Sequence, residues 1–299
     1  MGPAESARAI AARCGVKAES GHTMAEFTTI GVGGPIECLL RPESIESMGR
    51  LLGELRAAGY RPMVVGGGAN LIAGPGPFQD PVVLTRGIKH GPVFDGNRVR
   101  AGCGLVVKRL VLTCVQRGLS GLEFAEGIPG TVGGTVFMNA GSYGGQMSDV
   151  VREVAYVDAG GALRRRDLSP EDFSYRRSPF ETGDVIVEAV FELRPADPAL
   201  MQKSVKEISR QRMASQPPGK RSAGCIFKNP PGDSAGRLID SLGLKGLSVG
   251  GASVSQVHGN FIVNRGDATP RDVLDLIDLV KRQVKDKSGV ELVEEVIVW

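Results

Sequence analysis

The sequence lacks three features that would decide its class at once: a long apolar run, paired cysteines and a strong net charge. No apolar stretch among the 299 residues is long enough to span a bilayer, and the N-terminal segment MGPAESARAIAARCGV has no signal-peptide core. The five cysteines are odd in number and form no CxxC pair, which argues against a disulfide framework and a zinc site. We therefore expect reduced thiols, no metal, no membrane and a cytoplasmic location.

The sequence also has little net charge and no low-complexity segment. The net charge is only +3, which is too small to require nucleic acid, although a slight positive excess suits an acidic substrate. We find no internal repeat, and the basic run at 164–166 is most simply a solvated hairpin rim. The composition is that of an ordinary soluble protein, and no obligate protein partner is evident.

Glycine, in contrast, is abundant where apolar residues are also dense. The segment Gly121–Gly145, GLEFAEGIPGTVGGTVFMNAGSYGG, holds eight glycines between bulky apolar side chains. Glycine allows a positive φ and lets a ligand approach the main chain closely, at an entropic cost wherever it does neither. We favour a long, flat ligand against this main chain; the alternative is a run of turns and bulges in a β-rich core.

A second glycine-rich loop follows an alternating pattern of elements. A strand at 36–40, a helix from about Glu43 to Gly59 and a strand at 62–65 predict a βαβ unit that runs into GGGAN at 66–70. A Rossmann nucleotide site would need a helix to begin here, but Gly74-Pro75-Gly76-Pro77 prevents one. Consecutive N–H groups in a turn can still bind an anion, so we predict a phosphate cradle of a non-Rossmann kind.

The remaining chain predicts an α+β protein. Up to residue 193 strands dominate, at 82–85, 98–101, 150–158 and 184–193, with one helix at 105–117. Two prolines in five residues make 194–198 a linker. Beyond it the periodicity predicts helices at 199–214, 235–242 and 269–287 and strands at 261–264 and 290–299.

Seven segments together resemble one enzyme family. They are TTIGVGG at 28–34, VVGGGAN at 64–70, GLEFAEGIPGTVGGTVFMNAGSYG at 121–144, FSYRRS at 173–178, SAGCIFKNP at 222–230, VHGNFIVN at 257–264, and Glu295-Val296. In this order and spacing they are similar to the UDP-N-acetylenolpyruvoylglucosamine reductases, the MurB or UDP-N-acetylmuramate dehydrogenase family. The resemblance covers the chain from about residue 25 to its end, and seven motifs in order are far more specific than one.

The resemblance implies a fold and a division into domains. It implies an FAD-binding fold of the vanillyl-alcohol oxidase and p-cresol methylhydroxylase type, with two α/β subdomains and a C-terminal α+β substrate domain. We expect an N-terminal extension at 1–24, subdomain 1 at 25–88 joined by the strand 290–299, subdomain 2 at 89–197, and the substrate domain at 198–289. Since only a short linker follows the strand at 184–193, the chain resembles the shorter subtype, which lacks a loop bearing a tyrosine.

The resemblance also implies the activity. Members reduce UDP-N-acetylenolpyruvoylglucosamine to UDP-N-acetylmuramate, with FAD as cofactor and NADPH as co-substrate, in peptidoglycan synthesis. That step implies roles in cell wall biogenesis, cell shape, cell division and the cell cycle. The residues expected to bind FAD are Gly66, Gly67, Gly68, Ala69, Asn70, Gly127, Ile128, Pro129, Gly130, Thr131, Gly133, Gly134, Asn139, Gly141 and Tyr143.

Arg176 is the first catalytic residue that the resemblance implies. Hydride addition to an enolpyruvyl group drives negative charge onto its carboxylate, and a guanidinium stabilises that charge through two parallel hydrogen bonds. On the residues alone Arg176 could equally be a surface arginine beside a turn. If the segment is extended, Arg176 and its neighbour Arg177 point in opposite directions.

Glu295 is the second candidate. In a strand over 290–299, alternation places Glu295 on one face with Val293, Ile297 and Trp299. A carboxyl on an apolar face is desolvated, so its pKa rises and it can act as an acid near neutral pH. Glu294 would face the other way. The alternative is an edge-strand glutamate in water.

Cys225 is a departure from the family pattern, which usually has serine as the proton donor at this position. A thiol with a pKa near ~8.5 is mostly protonated at pH 7, so Cys225 can still supply a proton. Any thiolate fraction would make the site sensitive to oxidation. The alternative is a cysteine that only fills a gap in the core.

The remaining candidates would bind the substrate. By resemblance Lys228 and Asn229 hold its UDP part, with Lys228 a point charge for the diphosphate. Tyr175, Arg212 and His258 are expected to face the substrate, although a lone histidine is often a satisfied structural residue.

Two other functions stay open from the sequence. Another FAD-dependent oxidoreductase of the same fold, such as an aldonolactone or 2-hydroxy-acid oxidase, would share the glycine loops but has no need of GCIFKNP or Glu295. A UDP-sugar-binding or regulatory protein without redox chemistry would have no reason to retain both glycine loops and Arg176.

Overall fold

Apolar side chains at helical spacing give seven α-helices in the computed structural model, which describes residues 2–299. The helices are α1 Pro3–Arg13, α2 Ile45–Ala57, α3 Val107–Gln116, α4 Val132–Phe137, α5 Pro198–Ser215, α6 Ala235–Ser241 and α7 Pro270–Ser288. None of these helices is both long enough and apolar enough to cross a membrane. The predicted helices are therefore confirmed, each to within about two residues at its ends.

The strands are short and numerous. They are β1 Lys17–Glu19, β2 His22–Thr23, β3 Pro35–Ile36, β4 Leu39–Arg41, β5 Met63–Val65, β6 Leu71–Ile72, β7 Val82–Leu84, β8 Val93–Asp95, β9 Arg98–Gly102, β10 Leu119–Ser120, β11 Gly141–Ser142, β12 Gly145–Gln146, β13 Val151–Val157, β14 Leu163–Asp167, β15 Val185–Glu192, β16 Arg194–Pro195, β17 Arg221–Cys225, β18 Ser248–Val249, β19 Ala252–Val254, β20 Phe261–Asn264 and β21 Ile297–Val298.

The described chain forms two compact units. The first comprises residues up to Ser20, Glu37–Gly67 and Gln79–Arg210, and the second comprises Gly21–Ile36, Gly68–Phe78 and Gln211–Trp299. Each unit has its own apolar core.

In the first unit, one four-stranded sheet has the order β1-β4-β7-β5. Strands β4, β7 and β5 are parallel, and α2 connects β4 to β5 as the βαβ pattern predicted, with β7 inserted between them. Helix α2 begins at Ser44, whose side chain accepts a hydrogen bond from the Ser47 N–H. Its buried face, which includes Leu51, Leu52 and Leu55, packs in the core.

The second sheet of this unit is antiparallel, with the order β14-β13-β15-β9-β8. Its central strand β15 is buried from Val185 to Phe191, and α4 packs on it. The predicted hairpin rim at 164–166 is confirmed, because Arg164, Arg165 and Arg166 are exposed and pair with carboxylates.

The second unit contains the antiparallel sheet β17-β20-β19-β18 and the helices α6 and α7. The N-terminus of helix α7 is capped by Thr269, whose side chain accepts a hydrogen bond from the Asp272 N–H. The helix ends at Gly289, which has the left-handed conformation. Strand β21 pairs in parallel with β6.

Two predicted elements were wrong. The segment 194–198 is not a linker, because Arg194–Pro195 pairs with Leu119–Ser120 and Pro198 begins α5. Proline is tolerated both on a sheet edge and in the first turn of a helix, and two-residue pairing leaves no alternation to detect. The tail 290–299 is a regular strand only at Ile297–Val298.

Candidate functional site

The two glycine-rich segments meet in the first unit, at their glycines. A Cβ on Gly67 would lie 2.4 Å from Cα of Gly130, and a Cβ on Gly66 would lie 2.7 Å from Oγ1 of Thr131. In the same loop, a Cβ on Gly68 would lie 1.7 Å from the Phe27 carbonyl oxygen. Main chain approaches main chain here so closely that only glycine fits.

This loop also exposes hydrogen-bond donors. The N–H groups of residues 67–69 donate to no acceptor within residues 2–299, and Gly68 has a φ of +65°. The hydroxyl of Thr131, beside Gly66, is buried and likewise finds no partner in the described chain. Consecutive unused N–H groups and an orphaned hydroxyl are what a diphosphate requires. The residues present therefore fit the diphosphate of FAD.

Part of the glycine pattern serves packing instead. A Cβ on Gly133 would lie 2.7 Å from Cβ of Cys103, and a Cβ on Gly145 would lie 2.8 Å from the Phe124 ring. Gly141 pairs with Gln146 in the small hairpin of β11 and β12. The interpretation as turns in a core thus holds for these glycines, and cofactor contact at Gly133 and Gly141 stays a prediction, as it does for Gly127, Ile128, Pro129 and Gly134.

Three residues stand out by their backbone. Among residues 2–299 the non-glycine residues with positive φ are Asn139 at 41°, Tyr143 at 49° and Arg176 at 56°. This conformation is strained for residues other than glycine, and such strain concentrates at functional sites. All three belong to the site predicted from the sequence.

The segment around Arg176 is a tight turn, so the strand alternation that would point Arg176 and Arg177 in opposite directions does not apply. Ser174 and Arg177 exchange two backbone hydrogen bonds of 2.9 and 3.0 Å, which leaves Tyr175 and Arg176 at the tip. The guanidinium of Arg176 donates to the Gly141 carbonyl at 3.1 Å and lies 5.4 Å from the centre of the Tyr175 ring. Two-residue turns place neighbours by their φ and not by strand alternation.

Asn139 ties this turn to the glycine-rich segment. Its side-chain amide donates to the Ser174 carbonyl at 3.1 Å, and its side-chain oxygen accepts from the Ser148 N–H at 3.0 Å. A cleft of about 470 Å³ adjoins the turn, with Arg176, Arg177 and the buried Ser178 in its lining. The first unit therefore brings Arg176, Tyr175, Asn139 and Gly141 together.

In the second unit, Cys225 ends strand β17 after a register shift that follows Ser222. Gly224 there has a φ of +78°. All five cysteines are reduced thiols, and Cys225 is half-buried, whereas the other four are buried. Burial raises the pKa of Cys103 and of Cys114 to about 12 each. Cys225 is thus the cysteine with the greatest access to a reactant.

The backbone of Glu295 pairs with the residue that follows Cys225. Its N–H donates to the carbonyl of Ile226 at 2.8 Å, and its own carbonyl accepts from the Asn70 side chain at 3.0 Å. The second unit therefore brings Cys225, Glu295 and Asn70 to one place.

The predicted apolar face of the tail was wrong. Val293 is 55% exposed and Ile297 is 38% exposed, whereas Leu292 and Val296 are buried. Glu294 lies on that buried side, where its carboxylate accepts a hydrogen bond of 2.6 Å from Lys281. Burial tends to raise the pKa of Glu294, but the Lys281 hydrogen bond leaves it below the ordinary value. Glu294 is thus held by an ion pair with Lys281, on the side of the tail opposite to the one predicted to be buried.

Four of the five substrate candidates lie in the second unit, with varied local roles: Arg212, Lys228, Asn229 and His258. The side-chain oxygen of Asn229 accepts a hydrogen bond from the Ala235 N–H at the start of α6. The backbone N–H of Lys228 donates to the Val293 carbonyl at 2.8 Å. The ring of His258 accepts from the Asn260 N–H at 3.1 Å. Burial, with a smaller contribution from Lys245, lowers the pKa of His258.

The structural role of His258 is therefore visible, and its contact with substrate stays a prediction.

Arg212 lies in the last turn of α5, where its guanidinium donates to the Gln216 side chain at 3.3 Å. No group of three or more His, Cys, Asp or Glu side chains in residues 2–299 is arranged to hold a metal ion.

Sequence reasoning missed two residues. Arg86 donates from Nε to the Gly66 carbonyl at 3.1 Å and from Nη2 to the Gly67 carbonyl at 2.9 Å. Ser178 is buried next to Arg177, and its hydroxyl has no partner in the described chain. A lone arginine in a turn has no local signature, while the FSYRRS segment already contained Ser178.

Comparisons with known proteins agree with this geometry. Two family models match: the C-terminal domain of UDP-N-acetylenolpyruvoylglucosamine reductase over residues 216–299, and an FAD binding domain over residues 35–166. A UDP-N-acetylenolpyruvoylglucosamine reductase of Alkalilimnicola ehrlichii is 44% identical over 276 residues, which cover 91% of each chain.

Solved structures give the fold. The reductase MurB of Thermus caldophilus aligns over 95% of this chain and 98% of its own, with a TM-score of 0.78 and 37% identity. The berberine bridge enzyme of Eschscholzia californica aligns over 64% of this chain and 44% of its own, with a TM-score of 0.50 and 14% identity. The second likeness concerns the fold alone. The α+β architecture with an FAD-binding fold that the sequence predicted is confirmed.

Proposed function

The chain belongs to the UDP-N-acetylenolpyruvoylglucosamine reductase family, and we propose that Arg176, Cys225 and Glu295 carry its reaction. It is an FAD-dependent oxidoreductase that reduces UDP-N-acetylenolpyruvoylglucosamine to UDP-N-acetylmuramate with NADPH as co-substrate. The observation that carries this function is identity of 44% over nine-tenths of both chains. The alternative of an aldonolactone or 2-hydroxy-acid oxidase is not favoured.

The cofactor would be held mainly by main chain. The N–H groups of 67–69 and the hydroxyl of Thr131 are the donors that would meet its diphosphate. When bound, FAD would supply the hydride-transfer chemistry between NADPH and the enolpyruvyl group of the substrate. The protein has to orient that group and manage charge and proton around it.

Arg176 would stabilise the charge. As the enolpyruvyl double bond is reduced, negative charge accumulates on the substrate carboxylate, and a guanidinium can hold both oxygens through parallel hydrogen bonds. The left-handed turn and the bond to Gly141 support this role, since they fix the arginine before substrate arrives. A donor that is preorganised in this way avoids reorganisation during the reaction.

Cys225 would complete the reaction by donating its thiol proton to C2 of the substrate. The C–H bond forms as the S–H bond breaks, and solvent then returns a proton to the thiolate. The half-buried position of this thiol, against four buried cysteines, supports the role. Glu295 lies next to it along the backbone, where its carboxyl would assist by hydrogen bonding to the developing charge.

Lys228 would hold the substrate diphosphate, with Tyr175, Arg212, Asn229 and His258 around the remaining polar groups. We propose further that residues 198–289 act as the substrate domain, alongside subdomains at 25–88 with 290–299 and at 89–197. By its product the enzyme would serve peptidoglycan synthesis, and with it cell wall biogenesis, cell shape and division. Five reduced cysteines support a cytoplasmic location.

A visible spectrum tests this function directly. The purified protein should show bound flavin, whose absorption NADPH bleaches under anaerobic conditions and the enolpyruvyl substrate restores. UDP-N-acetylglucosamine without the enolpyruvyl group is the matched control and should restore nothing. Absence of bound flavin would contradict the assignment. So would recovery of the flavin absorption on addition of UDP-N-acetylglucosamine without the enolpyruvyl group.

A further inference from the structure

Arg86 holds the glycine-rich loop from outside. It lies in the short 3₁₀ turn Thr85–Gly87 directly after β7, and its guanidinium donates to the carbonyls of Gly66 and Gly67 at 3.1 and 2.9 Å. Its side chain is exposed. The function proposed above makes no use of this residue.

The two bonds decide where the loop's N–H groups point. Within each planar trans peptide the C=O and the N–H point in opposite directions. When Arg86 holds the carbonyls of Gly66 and Gly67, the N–H groups of Gly67 and Gly68 are turned to the other side of the loop. These are donors that find no acceptor in the described chain.

Glycine makes such an anchor necessary. Three successive glycines have few steric limits on φ and ψ, so their peptide groups can rotate at little cost. A guanidinium presents several N–H donors in a rigid planar arrangement and can therefore hold two successive carbonyls at once. A lysine has a flexible stem and a point charge, which fixes neither carbonyl in orientation.

We propose that Arg86 is a positioning residue that sets the anion cradle of residues 66–69 for the FAD diphosphate. The proposal rests on FAD binding by this site and adds the residue that prepares it. Arg86 acts on the opposite side of the loop from the donors, through the backbone and not by touching the phosphates. Its removal should therefore weaken diphosphate binding without altering the substrate residues.

The test compares Arg86→Met and Arg86→Lys with wild-type holoenzyme. FAD release on serial dilution, followed by recovered flavin fluorescence, should show roughly 10- to 100-fold weaker binding in Arg86→Met. Arg86→Lys should lose most of the same affinity, because it keeps the charge but not the two fixed bonds. In ³¹P NMR of the holoenzymes, the diphosphate signals of both variants should move towards those of free FAD.

Lys89→Met is the matched control, since Lys89 is an exposed cation three residues away. It should bind FAD like the wild type. Wild-type affinity and wild-type ³¹P shifts in Arg86→Met would overturn the proposal, as would full rescue by lysine. If instead the wild-type protein fails to bind FAD, the proposed function itself fails. Circular dichroism of each variant separates loss of cofactor from loss of fold.

Discussion

The two glycine-rich segments, 66–70 and 121–145, differ in construction from strand β17, which ends at Cys225. In the first unit, the loops meet through glycine main chain, with Gly67 so close to Gly130 that a Cβ would approach within 2.4 Å. In the second unit, the backbone of Glu295 in the C-terminal tail pairs with that of Ile226, the residue after Cys225 at the end of β17. The first region offers backbone donors, and the second offers side-chain chemistry.

This difference says what kind of change each region tolerates. A site made of close main chain fails when any atom is added, whatever its chemistry. A site made of functional groups fails when the chemistry is removed, but accepts a replacement of similar size and function. If the proposed role of Cys225 holds, a thiol in place of the family's usual serine is an example of the second kind.

The largest effect is expected at Cys225. Cys225→Ala removes the proton donor and should lower turnover by about 10²- to 10⁴-fold, while Cys225→Ser keeps a donor and should retain substantial activity. Steady-state kinetics with the enolpyruvyl substrate provide the measurement.

The control for Cys225 is the NADPH half-reaction. Bleaching of the flavin by NADPH should proceed normally in Cys225→Ala, since that step needs no proton at C2. Wild-type turnover in the alanine variant would show that the donor lies elsewhere.

Arg176 sharpens the comparison because it combines backbone strain with side-chain chemistry. Arg176→Gly should lower turnover by about 10²- to 10³-fold, because removal of one donor that stabilises developing negative charge in an enzyme typically has an effect of this size. Stability should stay within about 1 kcal/mol, because relief of the positive φ offsets the lost bond to Gly141. Kinetics and thermal unfolding measure the two quantities separately.

Arg177→Ala serves as its control, being the exposed neighbour in the same turn. It should keep near wild-type turnover. If Arg176→Gly unfolds well below the wild-type temperature, the arginine is a structural residue and the role assigned to it is wrong.

Gly67 tests the main-chain region. Gly67→Ala places a methyl group 2.4 Å from Gly130 Cα, so FAD should bind about 10- to 100-fold more weakly as the loops separate. Flavin content of the purified protein and release on dilution report the change. Gly49→Ala in α2 is the control, since its nearest neighbour, the Gly161 carbonyl, would lie 3.6 Å away. Equal FAD affinity in both variants would refute the close-approach argument.

The smallest effect is expected at Glu294. Its carboxylate is about one-third exposed in the pair with Lys281, so Glu294→Gln should lower the free energy of unfolding at pH 7 by only ~0.2–1 kcal/mol. Because the folded-state pKa of Glu294 is lowered, this stability is present above its unfolded pKa and is lost as pH falls through the folded value. Urea unfolding at neutral and acidic pH should show the gap closing.

Glu295→Gln is the informative counterpart. It should lower turnover while leaving the free energy of unfolding near that of the wild type, the reverse of Glu294→Gln. Exchange of these two outcomes would reverse the assignment of the glutamates.

Most of the helices could be predicted from local sequence patterns. Helix α7 begins at a Thr-Pro cap and ends at a glycine, and α2 has its apolar residues at helical spacing, so α7 was predicted to within one residue and α2 to within about two. The tail was not, because alternation separates two faces without saying which one packs. Leu292 and Val296 face the core, and Val293 does not.

By itself the sequence determined the family, through seven motifs in order, and it located the two glycine-rich loops in the chain. The tertiary structure decided how these pieces are held: Arg86 on the Gly66 and Gly67 carbonyls, Lys281 on Glu294, and the left-handed turn of Arg176 on Gly141. Each of these contacts joins residues between 13 and 35 positions apart in the chain. Local propensity acts over a few residues, whereas such contacts depend on how the whole chain packs.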